Sequence, residues 1–252
     1  MNRIERIGAA TLYLGDCREV LPTLPAESVD LLWTDPPYGH SNHNGDFNSR
    51  LNDHRGLKQQ PIANDDSDSM REVVDAMLKA AVRVLRADCC CCCCCCGGGG
   101  PRPTFAWVAQ RMDTEGLAFF HSVIWDKLNP GLGWRFRRQH EMVMVAHRAG
   151  GRLAWSDQTR AIPNIWQGMP PRDRVHPNEK PLGLPSLFVE ICTQPDGMVL
   201  DPFMGSGTTG VAAARLGRRF IGIEQDPGHF ATACRRIEAA YRQADLFVKQ
   251  PA

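Results

Sequence analysis

Asp35, Pro36, Pro37 and Tyr38 stand in a row between Thr34 and Gly39, at the end of an apolar run. Each proline fixes its own φ and restricts the residue before it. A turn stiffened in this way can aim the Asp35 carboxylate and the Pro36 carbonyl in one direction, with the Tyr38 ring beside them. Two fixed acceptors suit an amino group that carries two hydrogens. The exocyclic amino group of a nucleobase is such a group, and a poor nucleophile, because its lone pair is delocalised into the ring. Holding both hydrogens favours a geometry with a freer lone pair, and fixed acceptors stabilise positive charge developing on nitrogen. A base treated in this way must leave the duplex, where an aromatic ring can stack on it. The same residues also read as a rigid strand-to-loop turn with Asp35 as a local cap. By themselves they leave both readings open.

A second group lies far along the chain. Asp201, Pro202, Phe203, Met204, Gly205, Ser206, Gly207 and Thr208 lead from a short apolar run into a helical pattern. Glycines let the backbone turn sharply and approach a ligand closely, and a helix start offers free N–H groups. The next apolar run ends in Glu224. A carboxylate placed there can accept hydrogen bonds from ribose hydroxyls, as in doubly wound nucleotide-binding folds. Turn, helix, strand and acid together point to a nucleoside-containing cofactor, and Asp201 can pair with an ammonium group on it. The G-x-G-x-x-G pattern of dinucleotide sites is absent.

The elements that must position these groups are legible as apolar runs and helical spacings. Strands are expected over residues 11–14, 29–34, 89–96, 118–125, 142–146, 198–200 and 220–223. Helices are expected over 17–24, 69–86, 103–115, 184–193, 208–216 and 227–244, with Asp68 or Ser69 capping the second. Strands alternating with helices indicate an α/β fold with a mainly parallel sheet. Residues 89–96 are eight consecutive cysteines, out of eleven in the chain. Cysteine packs as a small hydrophobe, and a continuous apolar run fits a strand covered on both faces. No spaced Cys/His pairs suggest zinc, so no metal is expected.

The chain has 252 residues, 43% of them hydrophobic, with 29 basic and 28 acidic side chains. That length suits one domain over 1–252. Near-neutral charge does not announce a nucleic-acid binder, so DNA contact must come from local clusters. No apolar run approaches the 18 residues of a membrane span, and residues 1–10 lack a secretory core. The expectation is a cytoplasmic protein with reduced thiols.

The two motifs together resemble those of the amino-methylating DNA methyltransferases, which act on adenine N6 or cytosine N4. Asp35, Pro36, Pro37 and Tyr38 look like that family's catalytic motif. Asp201, Phe203, Gly205, Ser206, Gly207 and Thr208 look like its cofactor motif, and the catalytic motif coming first is the order of the beta group. Asp16, within Leu14-Gly15-Asp16-Cys17, matches a residue that meets the cofactor adenine. Lys180, within His176-Pro177-Asn178-Glu179-Lys180-Pro181, matches a segment before the cofactor strand and is expected at the cofactor, and Glu224 matches the ribose-binding acid.

The resemblance implies S-adenosylmethionine as cofactor, base flipping, and a Rossmann-like methyltransferase fold, doubly wound around a mainly parallel seven-stranded sheet. It implies direct transfer without a covalent enzyme intermediate, so Cys17 is not a nucleophile. Asp in first place favours adenine; Ser is commoner in cytosine enzymes. A glutamine or RNA amino methyltransferase would carry Asn at position 35 and the opposite motif order. A catalytically silent DNA-binding module would bind DNA and transfer nothing.

The partner expected is double-stranded DNA. Arg135, Arg137 and Arg138, interleaved with Trp134 and Phe136, form the basic cluster best suited to phosphates and unpaired bases. Arg148, Arg152 and Arg160 follow. Residues 40–68 and 127–174 are the expected DNA-contacting loops or small target-recognition inserts. A homodimer is compatible with the sequence, and no restriction partner is indicated.

Overall fold

The structure is a computed structural model that describes residues 3–37, 66–96, 104–130, 137, 139–155, 161–171 and 179–248. Its strands are β1 (Arg3–Ile7), β2 (Ala10–Leu14), β3 (Val29–Thr34), β4 (Leu85–Cys96), β5 (Leu117–Asp126), β6 (His140–Arg148), β7 (Arg152–Leu153), β8 (Ile165–Gln167), β9 (Met198–Asp201) and β10 (Arg219–Glu224). Its helices are α1 (Cys17–Val20), α2 (Ser67–Val84), α3 (Thr104–Thr114), α4 (Gly183–Cys192), α5 (Thr208–Arg215) and α6 (Pro227–Val248). None is long and apolar enough to cross a membrane, among the described residues.

The strands run in the order β1-β2-β10-β9-β3-β4-β6-β5-β8, with β7 beside β4. The seven expected strands form the unbroken centre, from β2 to β5. Neighbours from β2 to β4 are parallel, and β6 is antiparallel to both β4 and β5. The expected count of seven is corrected to ten among the described residues. The additions are marginal: β1 hairpins onto β2 across Gly8 (φ +56°), β8 lies on the far edge, and β7 is two residues long. Edge strands half in water carry mixed polar sequence, so they lack the apolar run that marks a central strand.

Both faces of the sheet are covered. On one, α4, α5 and α6 bury Phe188, Val189, Ala213, Phe230 and Ile237 against Leu31, Trp33 and Val199. On the other, α2 and α3 bury Val73, Val74, Met77, Ala81 and Met112 against Leu32 and Leu200. The period-two geometry of a strand divides the cysteine run between them. Cys90 and Cys92 join the first face, while Cys89, Cys91 and Cys93 join the second. Residues 89–93 are fully buried, as a central strand demands. Cys90 and Cys92 also meet Cys192 of α4, the three sulfurs lying within 4.8 Å of one another.

Helix α2 has the expected amphipathic face, but its cap is Asp66, not Asp68 or Ser69. The Asp66 carboxylate accepts the N–H groups of Asp68 and Ser69 at 3.2 and 2.9 Å, satisfying donors of the first turn. The expected helix over 17–24 is α1 followed by a 3-10 turn, Leu21–Thr23, where Pro22 interrupts the α-helical bonding.

Candidate active site

Strands β3 and β9 are neighbours whose connections leave in opposite directions. From β9 the chain passes through α5 to β10, and from β3 it continues to β4 on the other side. This is a topological switch point, and the crevice outside the carboxyl ends of such strands is where doubly wound folds bind ligands. Asp35 directly follows β3, and Asp201 ends β9. The two sequence motifs, 166 residues apart by their numbers (201 − 35), therefore flank one crevice.

Asp35, Pro36 and Pro37 extend from β3 without regular structure, with Pro36 buried and the Asp35 side chain 22% exposed. Tyr38 lies outside the described residues. Lys180 Nζ sits 2.9 Å from Asp35 Oδ2 and 2.8 Å from Glu141 Oε2. Lys180, expected at the cofactor, is thus engaged with the carboxylate of the other motif. Lys127 Nζ meets the second oxygen of Glu141. Burial would push the Glu141 carboxyl up, but the charges of Lys180 and Lys127 outweigh it and hold the group down at about 2.

The turn after β9 is built around left-handed glycines. Gly205 has φ +51° and Gly207, the residue before α5, has φ +83°. The two are not equivalent. A Cβ on Gly207 would stand 2.9 Å from the Ala233 Cβ of α6, so this glycine permits close helix packing. A Cβ on Gly205 would meet nothing within 4 Å, which leaves its backbone open to a ligand. Asp201 is 3% exposed and anchors the turn, accepting the Thr209 hydroxyl at 2.6 Å and the Phe203 N–H at 3.1 Å. Burial raises its carboxyl to about 7, and the negative charges of Asp35 and Glu224 act in the same direction.

Glu224 closes the turn from β10. Its Oε2 accepts the Gly205 N–H at 2.9 Å and its Oε1 accepts the Asp226 N–H at 2.8 Å. Burial raises this carboxyl as well. A cleft beside it is lined by Gly15, Asp16, Cys17, Phe203 and Glu224, so three residues expected to hold a cofactor converge there. Asp16 caps α1 through the Arg18 N–H at 2.8 Å, and the Arg18 guanidinium grips the same carboxylate, with Nη2 at 2.6 Å. That hydrogen bonding holds the Asp16 carboxyl below its ordinary range. Burial pushes the Cys17 thiol up to about 12.

Ser206 and Thr208 point elsewhere. Arg236 of α6 donates to the Ser206 carbonyl at 2.9 Å, to Ser206 Oγ at 2.7 Å and to Thr208 Oγ1 at 3.4 Å. It also pairs with Glu179, the neighbour of Lys180. Sequence reasoning misses Arg236, Glu141 and Lys127. Arg236 is one polar residue in an amphipathic helix, but Glu141 does carry a signal, a carboxylate directly before the apolar run Met142 to Ala146.

Of the expected DNA-contacting residues, Arg137 is exposed and donates to the Pro130 carbonyl at 3.1 Å. Arg135 and Arg138 lie outside the described residues, as do Arg160 and most of 40–68. Arg148 and Arg152 do not share the crevice. The antiparallel register pairs Glu141 with Cys96, at the carboxyl end of β4, while Arg152 pairs with Asp88 near its start. Arg148 reaches Glu27 and the Leu85 carbonyl at that same remote end, at 2.6 and 3.2 Å.

A doubly wound α/β sheet of this order, with a glycine turn, an acid at the end of the next strand and an Asp-Pro-Pro turn around its switch point, defines an enzyme of the methyltransferase fold. Residues 29–235 match the model of the N6/N4 DNA methylases, and the chain belongs to that family. It is 31% identical over 228 residues to YubD of Escherichia coli (strain K12), a protein named as a methylase, covering 90% of each. It is 26% identical over 248 residues to the type II methyltransferase M.HinfI of Haemophilus influenzae, covering 90% of this chain and 68% of the relative. Among solved structures, TTHA0409 of Thermus thermophilus in complex with S-adenosyl-L-methionine superposes with a TM-score of 0.68 at 25% identity, covering 91% of this chain and 95% of that one. S-adenosylmethionine is the cofactor of the family. The residues present fit it: an open glycine backbone at Gly205 adjoins a cleft carrying Glu224, Asp16 and Phe203.

Proposed function

We propose that this protein methylates the exocyclic amino nitrogen of a base flipped out of double-stranded DNA, with adenine N6 as the target. The observation that carries the reading is the shared crevice, in which the Asp35 turn and the Asp201 turn end adjacent strands at the switch point. Adenine rests on Asp, rather than Ser, at position 35.

In this reading Glu224 accepts hydrogen bonds from the ribose hydroxyls, and Asp16 and Phe203 border the adenine of the cofactor. The Gly205 backbone lies against the donor, and Asp201 offers negative charge to its ammonium group. Gly207, Ser206 and Thr208 hold the turn in shape through α5 and Arg236. When bound, the cofactor supplies an electrophilic methyl carbon on a sulfonium sulfur. Asp35 and the Pro36 carbonyl accept the two amino hydrogens of the base, and Tyr38 stacks on its ring. Held this way, the amino nitrogen would present its lone pair to that methyl carbon. One amino proton is then lost, with the Asp35 carboxylate as its first acceptor. Arg135, Arg137 and Arg138 supply the positive charge for DNA phosphates.

The test is to incubate the protein with unmethylated duplex DNA and labelled cofactor, digest the DNA, and identify the modified nucleoside by mass. N6-methyladenine supports the proposal in full. N4-methylcytosine keeps the mechanism and corrects the base. Label confined to RNA or protein rejects the DNA substrate.

A further inference from the structure

Glu141 stands at the head of β6, 7% exposed, between two ammonium groups. Lys127 takes one of its oxygens, and Lys180 takes the other at 2.8 Å. Lys180 in turn reaches Asp35 at 2.9 Å. The charges alternate along a line, Lys127, Glu141, Lys180, Asp35, and the Trp125 ring lies beneath both ammonium groups at 5.2 and 5.8 Å. Trp125 is itself fixed, buried to 2% and donating its indole N–H to the Gly168 carbonyl at 2.7 Å.

The parts of this line differ in rigidity. Lys180 precedes α4 on a segment without regular structure, and its ammonium ends a flexible four-carbon stem. Asp35 follows the last ladder position of β3. Glu141, by contrast, is bound into the sheet on both sides, opposite Cys96 of β4 and Trp125 of β5. A carboxylate so buried is costly unless paired, and both of its oxygens are paired here. It is therefore the fixed point from which the others are held.

We propose that Glu141, backed by Lys127, is a positioning residue that holds Lys180 against Asp35 and so fixes the plane of the Asp35 carboxylate toward the substrate amino group. The inference rests on the reading of Asp35 as the amino-group acceptor. It makes the antiparallel strand β6 part of the catalytic apparatus, although Glu141 itself need touch neither cofactor nor base. Misplacement of a reacting group by about 1 Å can cost about 100-fold in rate, so loosening this line should register in turnover before it registers in binding.

The experiment compares Glu141→Gln, Lys127→Met, Lys180→Met and the double variant Glu141→Gln/Lys180→Met, measuring kcat on duplex DNA, cofactor Kd by calorimetry, and Tm. Glu141→Gln should lower kcat about 10-fold or more, with cofactor Kd changed by less than about threefold. Glu141→Asp should recover part of that loss. Because Glu141 acts through Lys180, its substitution in the Lys180→Met background should cost less than about twofold more. Lys127→Met, at the partly exposed end of the line, should lower kcat in the same direction, and Lys180 still pairs the Glu141 carboxylate there, which keeps the test valid if Glu141→Gln folds poorly. Unchanged kcat in both Glu141→Gln and Lys127→Met, or losses that multiply in the double variant, would overturn the proposal while leaving DNA methylation intact. An intact protein that methylates no DNA overturns the reading beneath it, and this inference with it.

Discussion

Glu224 Oε2 accepts the backbone N–H of Gly205 at 2.9 Å, so the acid that ends β10 also closes the glycine turn that follows β9. One side chain thereby shapes two walls of the cleft. Glu224→Ala should weaken cofactor binding about 10-fold or more, the loss expected when about 1.4 kcal/mol of hydrogen bonding goes. Glu224→Gln, which keeps an acceptor oxygen, should lose less. Calorimetric titration with S-adenosylmethionine checks both, and equal affinities in all three proteins would remove Glu224 from the cofactor site.

The two left-handed glycines should separate by assay. Gly207→Ala forces a Cβ to 2.9 Å from the Ala233 Cβ at φ +83°, and should cost about 2 kcal/mol of stability. Gly205→Ala puts its Cβ into open space, so the fold should lose about 1 kcal/mol or less while cofactor affinity falls. Thermal denaturation beside binding measurements distinguishes them; a Gly205→Ala protein with native affinity would place the ligand elsewhere.

Asp201 gives the stability a pH dependence of known sign. Its carboxyl is raised from an ordinary 3.8 to about 7, chiefly by burial. The folded protein therefore holds this proton more tightly than the unfolded chain does. The associated stability is full below the ordinary value and is lost as pH rises through the raised one. Glu224 is displaced in the same direction. Glu141, held at about 2 from 4.5, has the opposite sign, but its contribution is lost only at lower pH. The Tm of the ligand-free protein should fall from about pH 5 to about pH 8, and Asp201→Asn should fall less. Parallel curves for the two proteins would show that Asp201 does not titrate in this window.

The cysteine nearest the cleft should be chemically silent. Burial holds the Cys17 thiol up at about 12, so it carries almost no thiolate at neutral pH, and the thiolate is the nucleophilic form. Cys17→Ala should keep kcat within about threefold, a small loss reflecting packing at a buried position. A turnover near zero with a stable fold would revive a covalent route.

Much of this architecture is visible in local pattern. Central strands such as β3 and β4 are apolar because helices cover both faces, and the cysteines at 89–93 obey that rule. The helical spacing of Val73, Met77, Ala81 and Val84 marks the buried stripe of α2 without any knowledge of the sheet. What local pattern lacks is register and distance. Nothing near position 141 says that β6 runs antiparallel, which is what brings Glu141 to the crevice and sends Arg148 to the far end of β4. The Arg236 contacts with Ser206 and Glu179 span 30 and 57 residues, so no window along the chain contains them. The edge strands β1 and β8 escape notice because half-solvated strands mix polar and apolar residues.

The central claim is that Asp35 acts on the base while the turn after β9 holds the donor. Its most direct test measures methyl transfer to duplex DNA and cofactor affinity on the same preparations of intact and Asp35→Ala protein. The account predicts N6-methyladenine from the intact enzyme, a loss of turnover of about 1000-fold in Asp35→Ala, and cofactor Kd values that agree within about threefold. Loss of turnover and affinity in equal measure, or turnover that survives the substitution, would contradict it.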